Sequence, residues 1–167
     1  EKLKRLKAKQ NLKKILFIII SKSGNTIETL SNFLSLQIIK KNSKNIIIIS
    51  EKLNNPLYLL SRKMKLHFIE HKKNIGGRYS VLSEVGMVPA YLMGLNIKNL
   101  RQNLLIHFNN KNKKFIKESS IILTNLLKMN KFKNLILFNY SPKLDKFLSW
   151  SQQLIAERLG KKGKGFL

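Results

Sequence analysis

The sequence contains no cysteine, and only eight of its 167 residues are acidic. Without cysteine, a disulfide framework, a zinc site built on thiolates and a cysteine nucleophile are all excluded. The longest apolar run, Ile15 to Ile20, is far shorter than the roughly 20 residues of a membrane-spanning helix. A hydrophobic content of 43% is too high for a disordered basic tail. The length suits one domain or part of a larger enzyme.

The scarcity of acidic residues leaves a formal net charge of +25, carried by 33 lysines and arginines. Such a charge suggests nucleic-acid binding, because these side chains neutralise phosphates. Only five of the 33 are arginine, however, and arginine makes the bidentate contacts that sequence-specific readers use. The dense basic clusters, at residues 2–14, 110–117 and 161–164, contain one aromatic residue, Phe115, which is too few for a base-stacking platform. The pattern favours a solvated basic surface and argues against specific nucleic-acid binding.

Short β-branched runs alternate with longer stretches of helical spacing along the chain. The predicted strands span residues 16–20, 46–49, 66–69 and 135–138. The predicted helices span residues 26–40, 57–63, 80–93, 100–108, 115–127 and 144–159, and Pro89 is expected to kink or end the third. Continuous apolar strands separated by helices indicate a parallel sheet that is covered on both faces. We therefore predict an α/β fold, a three-layer αβα sandwich with a mainly parallel, flavodoxin-like sheet.

The loop after the first predicted strand runs from Ser21 to Thr26 with the sequence SKSGNT. Ligands of such sheets bind beyond the carboxyl ends of the strands. The free N–H groups of the helix that follows attract an anion, to which the hydroxyls can also donate. Gly24 permits a tight turn there, although the spacing is not that of a Walker loop. The same residues would also suit an ordinary capped helix start, and the residues alone leave both interpretations open.

Three segments, in the same order along the chain, resemble those of the phosphoglucose isomerase family. SKSGNTIETL, which begins at Ser21, is similar to the phosphosugar-binding loop that many sugar isomerase (SIS) domains share. GGRYSVLS, which begins at Gly76, resembles the family's GGR[FY]S segment, and the helix from Trp150 resembles its W-x-x-Q-x-x-x-E segment. The last two segments are specific to this family. The resemblance covers nearly the whole chain, from about Leu16 onwards.

The resemblance implies an isomerase that interconverts glucose 6-phosphate and fructose 6-phosphate through a cis-enediolate, in glycolysis and gluconeogenesis. It puts Glu157 at the position of the catalytic base and Arg78 at that of the arginine that stabilises the enediolate. Gln153 takes the position of a substrate-contacting glutamine. The phosphate-binding positions fall on Ser21, Lys22 (through its backbone N–H), Ser23 and Thr26.

The same resemblance sets expectations about cofactors, partners and location. The family uses neither a metal nor an organic cofactor, so we expect none. We expect a phosphosugar substrate, a homodimer when the protein is full length, no membrane association and a cytoplasmic location. Two alternative functions stay open: a non-catalytic SIS module that senses a phosphosugar, and a bifunctional phosphoglucose/phosphomannose isomerase.

Taken singly, the candidate residues also have ordinary structural interpretations. A lone glutamate on a helix, such as Glu157, is usually a solvated surface charge, and Arg78 could form an ion pair with Glu84 or Glu70. The occurrence of three motifs in the family's order outweighs these interpretations. The histidines have no metal-ligand spacing, and we expect all three to be structural or solvated: His67, His71 and His107.

A complete member of the family has two SIS-type lobes, whereas this chain resembles most of one and begins at Glu1 within a predicted helix. We therefore expect an incomplete fold from a longer protein. Residues 1–140 are predicted to form an SIS-type phosphosugar-binding domain that is truncated at its N-terminus. Residues 141–167 are predicted to carry the catalytic glutamate. The family's ring-opening histidine and lysine have no counterpart here, so we expect phosphosugar binding without efficient isomerisation of closed-ring sugars by this chain alone.

Overall fold

The computed structural model describes Arg5, Ala8 and residues 11–102, 104–129 and 135–159. Parallel strands alternate with helices, which confirms the predicted α/β class. The chain divides into two compact units, Glu1–Ile97 and Lys98–Leu167. The division into residues 1–140 and 141–167 stays a prediction.

The first unit is built on a parallel sheet of three strands in the order β1-β2-β3. They are β1 (Phe17–Ile20), β2 (Ile46–Ser50) and β3 (His67–Glu70). Phe17 pairs with Ile46, and Ile47 pairs with His67, so β2 lies between the other two strands. The first three predicted strands are confirmed to within a residue at each end.

Two helices connect these strands. The first, α1, spans Ile27–Ser35 and is shorter than predicted. The chain turns after it through Gln37, whose φ of 55° is left-handed and does not continue a helix. The second, α2, spans Pro56–Met64, with a proline at its first position and Asn55 as its N-cap, an arrangement that favours helix initiation.

A third helix, α3, follows β3 and spans Glu84–Leu92. It begins later than predicted because residues Gly77–Leu82 form a separate 3-10 helix and Ser83 then caps α3. Pro89 lies inside α3 and does not end it, so of the two effects expected of this proline only the kink stays a prediction.

The core of the first unit lies between the sheet and the two connecting helices. Its buried residues come from the strands, the helices and the turns that follow them: Phe17, Phe33, Leu36, Ile46, Ile48, Leu57 and Leu66. Successive side chains of a strand point to opposite faces of the sheet. Ile48 and Ile49 are both 0% exposed, so both faces of β2 are covered, as the predicted sandwich requires.

The regular elements described in the second unit are helices. Its helices are α4 (Ile97–Gln102), which starts at the unit boundary, α5 (Asn110–Lys128) and α6 (Asp145–Leu159). The predicted single helix over residues 100–108 is wrong, because Leu104–Phe108 is a 3-10 helix. In the part of the chain that the structure describes, no helix combines the length and apolarity needed to cross a membrane.

The predicted fourth strand at residues 135–138 is also wrong. This segment has an irregular conformation, and Ile136 and Phe138 are 71% and 75% exposed. A strand exists only where a neighbouring strand accepts its backbone hydrogen bonds. A short apolar run therefore does not by itself establish a strand.

Replacing Phe33 with alanine tests the proposed core. Phe33 lies on α1 and is 1% exposed, so its loss should lower the free energy of unfolding by about 3–5 kcal/mol. Phe115 is 70% exposed, and Phe115→Ala should change it by about 0.5 kcal/mol or less. Urea denaturation followed by circular dichroism measures both. Similar losses for the two variants would contradict this description of the core.

Candidate functional site

The loop after β1 folds tightly at the carboxyl edge of the sheet. The backbone N–H of Ser21 donates to the carbonyl of Ile49 at 3.1 Å, which extends the pairing of β1 with β2 by one residue. Gly24 then turns the chain with a φ of +68°, and its N–H donates to the carbonyl of Ser21 at 3.2 Å. A left-handed φ of this kind strongly favours glycine. The tight turn at Gly24 that was predicted from the sequence is confirmed.

Thr26 is the N-cap residue of α1, but its side chain makes no capping hydrogen bond. Its Oγ1 instead lies 2.8 Å from Oγ of Ser21, which is buried. The ordinary capped helix start that the sequence also allowed, with Thr26 and Glu28 or Thr29 forming the cap, therefore does not use the side chain of Thr26. The first-turn N–H groups of α1 keep the partial positive charge of a helix N-terminus. Along the chain, these N–H groups follow the loop that contains the hydroxyls of Ser21 and Ser23.

The loop after β2 supports the loop after β1. Asn55 is 3% exposed and accepts a hydrogen bond from the N–H of Tyr58 at 2.9 Å, which caps α2. Its Nδ2 donates to the carbonyl of Glu51 at 2.9 Å. A Cβ built on Gly24 would lie 1.9 Å from Oδ1 of Asn55. Only glycine fits at position 24, because the amide of Asn55 occupies the space that a side chain would need.

Lys22 connects all three loops at this edge of the sheet. Its carbonyl accepts a hydrogen bond from the N–H of Glu51 at 3.0 Å. Its Nζ lies 3.5 Å from a carboxylate oxygen of Glu51 and donates to the carbonyl of Lys73 at 3.3 Å. The expected role of Lys22 was a backbone N–H, so this use of the side chain was missed. Glu51 was missed as well, although its place directly after β2 indicates a residue at the carboxyl edge.

The loop after β3 leads into the segment that contains Arg78. Arg78 is half-buried and lies in the 3-10 helix Gly77–Leu82. His71, at the start of this loop, is 1% exposed, and its Nδ1 contacts a carboxylate oxygen of Glu84. His71 is thus a buried structural residue, which agrees with one of the two states expected for it. Glu84 is one of the two carboxylates that the sequence analysis named as an ion-pair partner for Arg78. In the structure, its carboxylate contacts the ring of His71.

The carboxyl group of Glu84 has a perturbed pKa. Burial acts to raise this pKa, but hydrogen bonds from its own backbone N–H, from His71 and from the N–H of Lys72, together with the charge of His71, act to lower it. The lowering effects prevail, so the pKa of Glu84 lies below its ordinary value.

Two of the predicted site residues lie in the second unit, on α6. Gln153 and Glu157 are one helical turn apart, and Nε2 of Gln153 donates to Oε1 of Glu157 at 2.8 Å. Glu157 is half-buried and Gln153 is exposed. A hydrogen bond to one carboxylate oxygen restricts the orientation of the carboxylate.

The structure therefore groups the predicted site residues into two sets. In the first unit, Ser21, Lys22, Ser23 and Thr26 share one loop, and Arg78 follows β3 of the same sheet. In the second unit, Gln153 and Glu157 share one helix face. Within the described ranges, no three His, Asp or Glu side chains come together as a metal site would require. The roles of these residues stay predictions.

Comparisons with known proteins agree with the motifs. The family model described as phosphoglucose isomerase matches residues 1–164. A probable glucose-6-phosphate isomerase of Methanococcus maripaludis is 34% identical, over 93% of this chain and 37% of that protein. A glucose-6-phosphate isomerase of Acholeplasma laidlawii is 31% identical, over 99% of this chain and 42% of that protein. The chain thus spans about two fifths of the length of these relatives.

A solved structure has the same fold. The crystal structure of a hypothetical protein from Thermus thermophilus aligns with a TM-score of 0.76 and 25% sequence identity. The alignment covers 99% of this chain and 42% of that one. This likeness supports the three-layer SIS-type fold that the sequence predicted.

Replacing Gly24 with alanine should disrupt the loop after β1. Gly94 provides a matched control because it also has a positive φ (+86°). Among the described residues, apart from its chain neighbours, nothing lies within 4 Å of the place where its Cβ would be. Gly94→Ala should cost only the backbone strain, about 1–2 kcal/mol. Gly24→Ala should cost about 1 kcal/mol more, because it also displaces the Asn55 cap. Chemical denaturation measures both losses.

The extra loss at Gly24 should disappear when Asn55 is first replaced by alanine, since the obstructing amide is then gone. Gly24→Ala would then cost about as much as Gly94→Ala. An extra loss that persists in the Asn55→Ala background would show that the contact with Asn55 is not its cause.

The low pKa of Glu84 should make the protein less stable in acid. A carboxyl whose folded pKa lies below its ordinary value of 4.5 stabilises the folded state above that pH, and this contribution is lost as the pH falls through the folded pKa. The stability difference between the wild type and Glu84→Gln should therefore shrink from about pH 6 to about pH 3. Glu118, exposed and 3.9 Å from Lys114, is the control: Glu118→Gln should show little such change. A difference for Glu84→Gln that is independent of pH would contradict the assignment.

Proposed function

The chain belongs to the phosphoglucose isomerase family, and we propose that it forms part of an enzyme that interconverts glucose 6-phosphate and fructose 6-phosphate. The observation that carries the proposal is the loop after β1. The helix that follows this loop has no side-chain cap from its N-cap residue, Thr26. The same chain also has Arg78 and Glu157 at the positions of the family's motifs. The names of the relatives support the activity.

In this proposal the phosphate of the substrate binds in the loop after β1. The hydroxyls of Ser21, Ser23 and Thr26 and the backbone N–H of Lys22 donate to its oxygens, and the N-terminus of α1 favours its negative charge. The ammonium of Lys22 is already engaged by Glu51 at 3.5 Å. Its charge is therefore partly offset, which supports a contribution from the backbone rather than from the side chain.

The reaction itself moves one proton between adjacent carbons of the open-chain sugar. Glu157 acts as the base: its carboxylate takes the proton from C2 and returns it to C1, while a proton passes from O2 to O1. The guanidinium of Arg78 stabilises the negative charge of the cis-enediolate that forms between the two steps. Gln153, which donates to Glu157 at 2.8 Å, orients the base and contacts the substrate.

The remaining parts of the reaction need groups beyond this chain. We propose that the histidine and lysine that open the sugar ring lie elsewhere in the complete protein, and that this protein is a homodimer acting in glycolysis and gluconeogenesis. A phosphosugar sensor is the less favoured alternative, because binding the phosphate requires neither the GGRYS segment at Gly76 nor the glutamate at position 157. A bifunctional enzyme would also isomerise mannose 6-phosphate.

Replacing Glu157 with glutamine tests the assignment of the base. In the complete polypeptide that carries these residues, kcat with fructose 6-phosphate should fall by about 10²- to 10⁴-fold, because general-base catalysis contributes a factor of that size. Binding of the phosphosugar should persist, since the loop after β1 is unchanged. Glu118→Gln, on the exposed face of α5, should leave kcat unchanged.

Two results would contradict the proposal. If Glu157→Gln keeps kcat within a few-fold of the wild type, Glu157 is not the base. If the wild type binds 6-phosphosugars without turning them over, the sensor function replaces the isomerase. Turnover of mannose 6-phosphate by the wild type, lost together with the main activity in Glu157→Gln, would identify the bifunctional enzyme.

A further inference from the structure

His71 makes three hydrogen-bonding contacts although almost none of its surface is exposed. Its side chain is 1% exposed, and its backbone N–H donates to the carbonyl of Ser50 on β2 at 2.8 Å. The ring nitrogen Nδ1 contacts Oε1 of Glu84, and Nε2 lies 3.2 Å from the carbonyl oxygen of Ile75. The residue is thus attached to the sheet through its backbone and to two other segments through its ring.

The two ring contacts of His71 lie on either side of the segment that contains Arg78. Ile75 immediately precedes Gly76 and Gly77, and Glu84 is the first residue of α3. The whole GGRYSVLS segment therefore lies between two points that one buried ring holds. A neutral imidazole has one N–H and could donate to only one of these acceptors, whereas the protonated ring donates to both.

Further hydrogen bonds hold the two ends of the GGRYSVLS segment in place. The backbone N–H of Lys72 donates to Oε1 of Glu84 at 3.3 Å, so the carboxylate accepts from two adjacent residues of the loop after β3. Within the segment, the N–H of Tyr79 donates to the carbonyl of Gly76 at 2.9 Å, and Ser83 caps α3 through its side chain. Both ends of the segment are fixed, and the turn between them is hydrogen-bonded internally.

We propose that His71 and Glu84 are positioning residues for the isomerisation, which hold the turn that carries Arg78 in the place where its guanidinium meets the enediolate. This inference rests on the proposed function, in which Arg78 stabilises that charge. The two glycines before Arg78 allow many backbone conformations, so the turn needs contacts from outside to select one. Electrostatic stabilisation depends on this selection, because a group displaced by about 1 Å can lose about 100-fold in rate.

The proposal is tested by His71→Phe, which keeps an aromatic ring in the buried site and removes both ring contacts. In the complete polypeptide, kcat with fructose 6-phosphate should fall about 10- to 100-fold. KM should change by less than about 3-fold, because the loop after β1 that binds the phosphate does not contain His71. His67→Phe is the matched control: His67 is an exposed histidine of β3, and its replacement should leave kcat unchanged.

Glu84→Gln provides a second variant in case His71→Phe does not fold. It keeps the size of the side chain and an acceptor oxygen but removes the charge that pairs with the ring. Like His71→Phe, Glu84→Gln should lower kcat and leave KM nearly unchanged. If both variants fold, as judged by circular dichroism, and both keep the wild-type kcat, the proposal is wrong.

A double-mutant cycle with Arg78→Ala separates a positioning role from a general structural one. If His71 acts through Arg78, His71→Phe (or Glu84→Gln) should change kcat by less than about 2-fold once Arg78 is already alanine. An equal loss in both backgrounds would overturn the proposal and leave the proposed function intact. If Arg78→Ala alone keeps the wild-type kcat, the role given to Arg78 in the proposed function fails, and the positioning role fails with it.

Discussion

The carboxyl end of β2 fixes the three loops from which the candidate site is built. The carbonyls of Ile49 and Ser50 accept hydrogen bonds from the N–H groups of Ser21 and His71, each the first residue after a neighbouring strand. Glu51, the next residue of the chain, donates its N–H to the carbonyl of Lys22. The loops after β1 and β3 are thereby tied to the central strand, whose Ile48 and Ile49 are fully buried on opposite faces. These backbone hydrogen bonds fix the first residues of both loops against β2.

The same edge contains most of the buried polar groups of the first unit. Buried polar residues include Ser21, Ser50, Glu51, Asn55, His71 and Ser80, and in the described part of the chain every buried side-chain nitrogen or oxygen has a hydrogen-bond partner. A fully satisfied polar network in a site of low dielectric is rigid and costly to rearrange. Such a network suits a site that stabilises charge, because donors already in place need no reorganisation during the reaction.

The sequence predicted the parts of this arrangement that local pattern determines. The isoleucine runs indicated β1 and β2, and Gly24 indicated the tight turn between β1 and α1, because β-branched residues and glycine have strong local preferences. The family motifs supplied what spacing alone could not, namely the predicted catalytic roles of Arg78 and Glu157. An apolar run alone does not predict a strand reliably: the hydrophobic residues at positions 135–138 form no strand in this chain.

The contacts that the sequence could not predict join residues that are distant in the chain or that belong to no recognisable motif. His71 had no metal-ligand spacing, and its pairing with Glu84 depends on the path of the turn between them. The interaction of Lys22 with Glu51 likewise depends on the strand order, which places the loops after β1 and β2 side by side. Tertiary geometry, rather than local preference, determines such pairs.

Phosphate binding by the loop after β1 is the property on which the proposed function depends most directly. The decisive measurement is a nitrogen-15 NMR titration of the complete polypeptide with glucose 6-phosphate, with glucose as the control sugar. We expect glucose 6-phosphate to shift the amide signals of residues 22–29 and glucose to leave them unchanged. The first unit also contains a cavity of about 630 Å³ whose charged lining residues are Lys52, Arg62, Lys65 and Glu70, and its three cations make it the alternative place for an anion. Shifts confined to that cavity, with residues 22–29 unchanged, would contradict phosphate binding by the loop after β1.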